Sequence, residues 1–252
     1  MPEFLHDENL ELRYQPFPIG QVIPAVDPSA YDEMLDCWPP LETFEYRPDN
    51  GHKYTLSQTC HGDRYRAFVR SNPIWKRFDD WISSDTFVDT VMGRLRAHHI
   101  DLGYRPGITW RKQTIKNLKS LVRGRASNRG ARLVGSWEFQ MIPAHGGYLL
   151  PHTDAPSKIV TLTLSMVRPG EWDTRWGGGI DIGYAKDERF AYNQLNTQAD
   201  FDDLDWIDTF EFVPNSVVVF VKTYNSWHCV RPIQGPDDGT MRRNLVINIC
   251  QR

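Results

Sequence analysis

His152-Thr153-Asp154, followed 76 residues later by His228, supplies two imidazoles and one carboxylate. That set of side chains holds a non-haem Fe(II) ion on one face and leaves the opposite face open to other ligands. Residues i and i+2 of a straight strand point to the same side, so His152 and Asp154 can reach one ion. The spacing serves even where the strand is ending. Arg242 and Arg243 follow His228 by 14 and 15 residues. A guanidinium there can clamp an acidic cosubstrate beside the metal, because its planar fork meets a carboxylate bidentately. A His-x-Asp pair alone is a weak signal. The pair at a strand end, a distal histidine in a strand-like piece, then proline and arginine, together make a stronger one. Cys229 adjoins His228, but a thiolate is an unusual ligand for Fe(II) of this kind and is read as packing.

These residues need elements to position them. From about residue 134 the apolar pattern shortens to strand length. Eight strands are expected near 134–143, 147–152, 158–166, 178–184, 208–213, 216–222, 226–232 and 241–250. Turn signals at His145-Gly146-Gly147, Pro156-Ser157, Gly177-Gly178-Gly179, Pro214-Asn215 and 235–239 separate most of them. Many short strands with tight turns point to a sandwich or barrel. The first half reads mostly as helix and loop. Asp27-Pro28 opens a helix that Pro39-Pro40 stops, Asn72-Pro73 opens a second, and Ser84 or Asp85 caps a third carrying Phe87, Val88, Val91, Met92 and Leu95. Residues 41–71 read as polar and irregular. The expected fold class is α+β, mainly β, with the helices packed on one sheet. A single domain, 1–252, is expected, with 1–133 a mostly helical support region and 134–252 the β core.

The bulk numbers exclude several classes. Hydrophobic content of 40% and charged content of 24% are those of an ordinary globular protein. A net charge of −3 does not suit nucleic acid or an acidic membrane as a general partner. No run approaches 18 uncharged apolar residues, so no membrane contact is expected, and the acidic N-terminus does not read as a signal peptide. Cys37, Cys60, Cys229 and Cys250 lack disulfide-framework spacing and fit reduced thiols in a cytoplasm. Residues 111–132 carry eight basic residues and no acid. They read as a solvated helix and loop, or as a basic lid for an anionic substrate. No aromatic interleaving accompanies the charge, so nucleic acid is not expected there.

The stretches GGYLLPHTDAPSKIVTLTLSM, GGGIDIG, PNSVVVFVKTYNSWHCVRPI and MRRNLVINI resemble the Fe(II)/2-oxoglutarate-dependent oxygenase superfamily, and within it the prolyl-4-hydroxylase-like branch. The resemblance covers about residues 134–250. It implies a double-stranded β-helix (a jelly-roll, cupin-like barrel), Fe(II), and 2-oxoglutarate and O2 as cosubstrates. It makes His152, Asp154 and His228 the iron ligands, with Thr153 in the free middle position. Alternation along the last strand splits Arg243, Leu245, Ile247 and Ile249, a mainly apolar face, from Arg242, Asn244, Val246 and Asn248, a mixed face that should look into the barrel. Arg242 also fits the family's Arg-x-(Ser/Asn) pattern. It is therefore the expected clamp for the distal carboxylate of 2-oxoglutarate, with Arg243 in reserve should a bulge reverse the faces. Asn244, Gln140 and Thr161 or Thr163 are candidate hydrogen-bonding partners of the same acid. The chain departs from prolyl-hydroxylase-like members ten residues before His152, where Ile142 stands in place of a frequent tyrosine.

The implied reaction is hydroxylation of an unactivated C–H bond coupled to decarboxylation of 2-oxoglutarate to succinate. A carboxylate at 154 argues against a halogenase of this superfamily. The expected substrate is a polar or anionic small molecule. A protein prolyl or asparaginyl side chain is the competing class, and Trp172, Trp176, Trp227, Tyr148 and Tyr184 either wall the substrate or pack. Two readings of other kinds stand beside these: a cupin-like metal-dependent isomerase, which needs no 2-oxoglutarate clamp, and a non-catalytic binding module, which has no reason to keep all three ligands. The sequence carries no sign of the oligomeric state.

Overall fold

The computed structural model describes residues 4–6, 8–104 and 132–251. Among these, the chain forms β1 (Glu11–Arg13), β2 (Ile19–Val22), α1 (Pro28–Asp36), β3 (Glu45–Arg47), β4 (Lys53–Ser57), α2 (Gly62–Ser71), α3 (Pro73–Ile82) and α4 (Asp85–Ala97). The β-rich part follows as β5 (Leu133–Pro143), β6 (Leu149–His152), β7 (Lys158–Ser165), β8 (Ile180–Ala185), β9 (Leu204–Phe210), β10 (Val217–Val221), β11 (His228–Val230) and β12 (Met241–Gln251). An eight-stranded antiparallel sheet has the order β1-β2-β10-β7-β12-β5-β4-β3, and a four-stranded one the order β6-β11-β8-β9.

Alternation on the long central strands decides what each face of the larger sheet meets. Trp137, Phe139 and Met141 of β5 and Leu245, Ile247 and Ile249 of β12 point to one side and pack with Met34, Trp75, Phe78, Phe87 and Leu95 of the helices. Gln140, Arg242, Asn244, Thr161 and Asn248 point to the other side and are buried between the sheets. Two smaller apolar clusters tie the sheets together. Ile19, Val218 and Phe220 meet Ile180, Ile182 and Phe210 in one. In the other, Ile142 meets Trp172, Phe212 and Val230.

The helices start where their caps place them. Asp27 Oδ1 accepts from Ser29 N and Ala30 N, with Pro28 at the first helical position of α1. Ser84 Oγ accepts from Phe87 N at the head of α4. Ile74, Trp75, Phe78 and Ile82 of α3 are fully buried; each such side chain contributes roughly 1.5–3 kcal/mol against exposure. Tyr31 of α1 fastens the helical layer to the sheet: its hydroxyl accepts from Val167 N and Asn215 N, both at 3.0 Å, and lies 2.8 Å from the Ser165 carbonyl.

All eight expected strands of the second half are present, with β9 four residues earlier than expected. The first half differs from the reading. It contributes β1–β4 to the larger sheet, and α2 forms within the segment read as irregular. These strands have three to five residues, too few for an alternation to register. The basic segment 111–132 lies almost wholly outside the described residues. Among the described residues no helix is long and apolar enough to cross a membrane.

Candidate metal centre

β6 and β11 pair antiparallel in the smaller sheet with His152 directly opposite His228. Two residues distant in sequence thus become cross-strand neighbours, with ring centroids 4.3 Å apart. β6 ends at His152, and Asp154 sits at φ 71°, a left-handed conformation that Asp tolerates better than most residues. Asp154 therefore joins the site from a turn beyond the strand. Ligand atoms of His152, Asp154 and His228 all lie within 4.8 Å of one another.

Each imidazole is fixed in the tautomer that a metal needs. His152 Nδ1 is 2.8 Å from the Leu150 carbonyl, and His228 Nδ1 is 2.9 Å from the Ser226 carbonyl. A carbonyl oxygen only accepts, so both Nδ1 atoms carry the proton and both Nε2 lone pairs are free. Burial, then the proximity of His228, pushes His152 down to about 3, and burial also lowers His228. Both rings are neutral at physiological pH. Burial alone would raise the Asp154 pKa, but the Lys158 ammonium, with the two histidines, outweighs it and holds the carboxyl well below the usual carboxylate range. Lys158 Nζ donates to Asp154 Oδ1 at 2.7 Å, and Thr161 Oγ1 donates to Oδ2 at 2.7 Å.

The middle residue of the motif is structural. Thr153 is fully buried; its hydroxyl donates to the Asn193 carbonyl, its N–H to Asn196 Oδ1, and its carbonyl accepts from Ser226 Oγ. The loop between β8 and β9 thereby holds the turn that carries Asp154. Asn193, Asn196 and Ser226 had no motif to mark them.

The three residues open onto a cavity of about 240 Å³ between the sheets. Arg242, Asn244, Gln140, Thr161 and Thr163 also line it, as the strand faces require. Arg242 is 2% exposed. Its Nε donates to the Gly178 carbonyl, its Nη1 to Asn244 Oδ1 at 2.8 Å, and its guanidinium lies 4.5 Å from the centre of the Phe212 ring. Burial pushes it down to about 9, so it stays cationic at neutral pH. No carboxylate of the described residues pairs with it. Arg243 points away, to Glu171 and the Trp38 ring. Asn244 Nδ2 donates to Gln140 Oε1 at 3.4 Å, and Gln140 Nε2 to Glu138 Oε1 at 3.0 Å. Thr161 is committed to Asp154, which leaves Thr163 as the free threonine. Gly178 is needed where it is: at φ 82° an added Cβ would come within 2.7 Å of the Trp172 ring.

Trp172, Trp176, Trp227 and Tyr148 pack against other side chains, Tyr184 is exposed, and none lines the cavity. Cys229 is buried beside His228, burial pushes its thiol up, and it lines the cavity. Lys53, Glu138, Asn50 and Lys158 do line the cavity, although the sequence reading singled out none of them.

No protein-family model matches the sequence, and a search of curated proteins gave no match. Among solved structures the chain is similar to prolyl 4-hydroxylases from Phytophthora capsici: 15% identity, TM-score 0.50, over 92% of this chain and 58% of that one. It is also similar to a prolyl hydroxylase from Trichoplax adhaerens in complex with a hypoxia inducible factor oxygen degradation domain peptide fragment, at 13% identity and TM-score 0.45, over 92% and 83%. A third is a non-heme alpha ketoglutarate dependent epimerase from nogalamycin biosynthesis, at 10% identity and TM-score 0.46, over 94% and 78%. At such identities likeness speaks to the fold alone. The two antiparallel sheets, the helices on the outer face of the larger one and the similarity to the Phytophthora enzymes agree: this chain has the double-stranded β-helix fold of the 2OG-Fe(II) oxygenases.

Proposed function

We propose that this protein is an Fe(II)- and 2-oxoglutarate-dependent dioxygenase that hydroxylates a polar or anionic small molecule, with the whole chain acting as one catalytic unit. The observation that carries the reading is the pairing, in one cavity, of a neutral His–His–carboxylate set with a buried arginine that lacks an anion. His152 and His228 would hold the metal through Nε2, and Asp154 through its carboxylate. Two neutral imidazoles and one carboxylate leave a divalent ion with positive charge and open positions. Arg242 would take the distal carboxylate of 2-oxoglutarate, with Asn244, Gln140 and Thr163 as hydrogen-bonding partners. When both groups are bound, such a centre couples decarboxylation of 2-oxoglutarate to oxidation of a substrate C–H bond by O2.

The chain's own residues prepare the site. The backbone carbonyls of Leu150 and Ser226 hold the rings so that no proton has to leave Nε2 before metal binds. Asn244 orients the guanidinium, and Gly178 gives it a backbone acceptor. Phe212 backs the guanidinium and packs behind it with Ile142 and Trp172, which fixes the arginine from outside the cavity. A cupin-like isomerase has no use for an unpaired buried arginine, and a binding module has no use for three correctly protonated ligands. The charged cavity wall of Lys53, Glu138 and Lys158 favours a polar small molecule over a prolyl side chain.

The test is succinate release from 2-oxoglutarate by the protein supplied with Fe(II), O2 and ascorbate. The wild type forms succinate, and Asp154→Ala and His228→Ala do not. Undiminished succinate formation by either variant contradicts the ligand assignment.

A further inference from the structure

β4 brings an unexpected cation to the site. Tyr54 pairs with Met141 and Leu56 with Phe139, and all four side chains join the helix-side core. Alternation puts Lys53 and Thr55 on the opposite face, with Gln140 and Glu138. Lys53 lines the same cavity as the three candidate ligands. Its ammonium forms no ion pair or side-chain hydrogen bond with any described residue. Burial lowers its pKa; Glu138 offsets part of that, while Arg47 and Lys158 add to it. Lys158, also on the cavity wall, spends its charge on Asp154 Oδ1 at 2.7 Å. A divalent ion held by Asp154 would compete with Lys158 for that carboxylate.

Charge balance extends the argument, on the assumption that the site takes Fe(II) and 2-oxoglutarate as proposed above. The cavity wall carries Arg242, Lys53 and Lys158 against Asp154 and Glu138. A divalent cation and a doubly negative cosubstrate cancel each other. One positive charge remains, in a partly desolvated site where an unpaired charge is costly. Glu138 accepts from Gln140 and makes no ion pair with either lysine. The missing partner is an anion.

We propose that Lys53 anchors an acidic group of the substrate, a carboxylate or a phosphate monoester, while Lys158 reinforces the positive potential around it. The site then takes anionic substrates in preference to their neutral counterparts, and Lys53 determines that specificity.

The experiment uses the full chain loaded with Mn(II) and 2-oxoglutarate, and reads paramagnetic broadening of probe proton signals by NMR. The probes are N-acetylglycine, N-acetylglycinamide and methyl phosphate. The acids are expected to broaden and the amide not. The effect should fall about tenfold or more in Lys53→Met and return in Lys53→Arg, as loss and restoration of one partly buried charge contact require. Methyl phosphate stronger than N-acetylglycine identifies a phosphorylated substrate, and the reverse a carboxylate; either supports the anchor. Equal broadening of acid and amide, no broadening by any probe, or acid binding that survives Lys53→Met overturns it. So does an acid that displaces 2-oxoglutarate, because it then sits at Arg242. The Fe(II)/2-oxoglutarate absorption band of the wild type is read in parallel. Its absence rejects the proposed function, whereas its presence without acid preference rejects the anchor alone.

Discussion

Arg242→Met should separate cosubstrate binding from folding. The shift from 12.5 to about 9 corresponds, at 1.36 kcal/mol per unit, to about 5 kcal/mol against the buried charge. The bonds to Gly178 O and Asn244 Oδ1 return about 1 kcal/mol each, or somewhat more. The Phe212 ring at 4.5 Å returns about another. A net cost of about 2 kcal/mol remains in the protein without an anion. Methionine removes that cost but leaves two oxygens without their donor, a penalty of similar size. The two nearly cancel, so the Tm of the ligand-free protein should move by no more than about 4 °C. With 2-oxoglutarate the ledger changes, because losing one partner of a buried ion pair costs about 3–5 kcal/mol. Affinity should therefore fall by roughly two to four orders of magnitude. The assay is anaerobic titration of the Fe(II)-loaded protein with 2-oxoglutarate, beside a thermal melt of each variant. Arg243→Met, whose side chain faces Glu171 and Trp38, should keep its affinity within about threefold. Arg242→Met affinity within tenfold of wild type, or a large affinity loss in Arg243→Met instead, refutes the reasoning.

Gly178→Ala should weaken 2-oxoglutarate binding without touching the metal ligands, because the added methyl meets Trp172 and displaces the carbonyl that holds Arg242 Nε. Unchanged affinity in a folded variant counts against that role. Tyr31→Phe leaves the Val167 and Asn215 N–H groups without their acceptor and should cost about 2–3 kcal/mol in a denaturant melt; a loss under 0.5 kcal/mol shows the clasp to be idle. His152 has a native pKa of about 3 against 6.5, so between those values the unfolded chain binds more protons and stability falls as pH falls. At pH 5 the ligand-free protein should lose up to about 2 kcal/mol from this ring relative to pH 8, less what water at its open edge takes back. His152→Asn should flatten that part of the profile, and identical slopes in the two proteins refute the assignment.

How far the sequence revealed the molecule depended on how local each cause was. The long strands β5, β7 and β12 carry seven or more residues of alternation, and the starts of α1, α3 and α4 announce themselves through Asp27-Pro28, Asn72-Pro73 and Ser84. The triad was legible because its residue types are specific and its strands are recognisable. β1–β4 were hidden by their shortness. α2 was hidden because only Tyr65 and Val69 are buried and its N-cap, His61, sits at φ 58° with no side-chain bond to mark the start. β9 was placed too late: the ladder runs through Leu204–Phe210, a stretch that carries Asp205 and Asp208, and Phe212 is buried beyond its end. The charge around the site was least legible. Lys53 reaches it from a segment without visible pattern, and Lys158, although four residues after Asp154, required the turn at Asp154 to be known.

The most direct test of the central claim is anaerobic visible absorption of the purified protein titrated with Fe(II) and then with 2-oxoglutarate. A charge-transfer band that needs both additions, and that is lost in His152→Ala, is the predicted result. Stoichiometric iron binding with no band on adding 2-oxoglutarate contradicts the account and leaves Arg242 without its proposed partner.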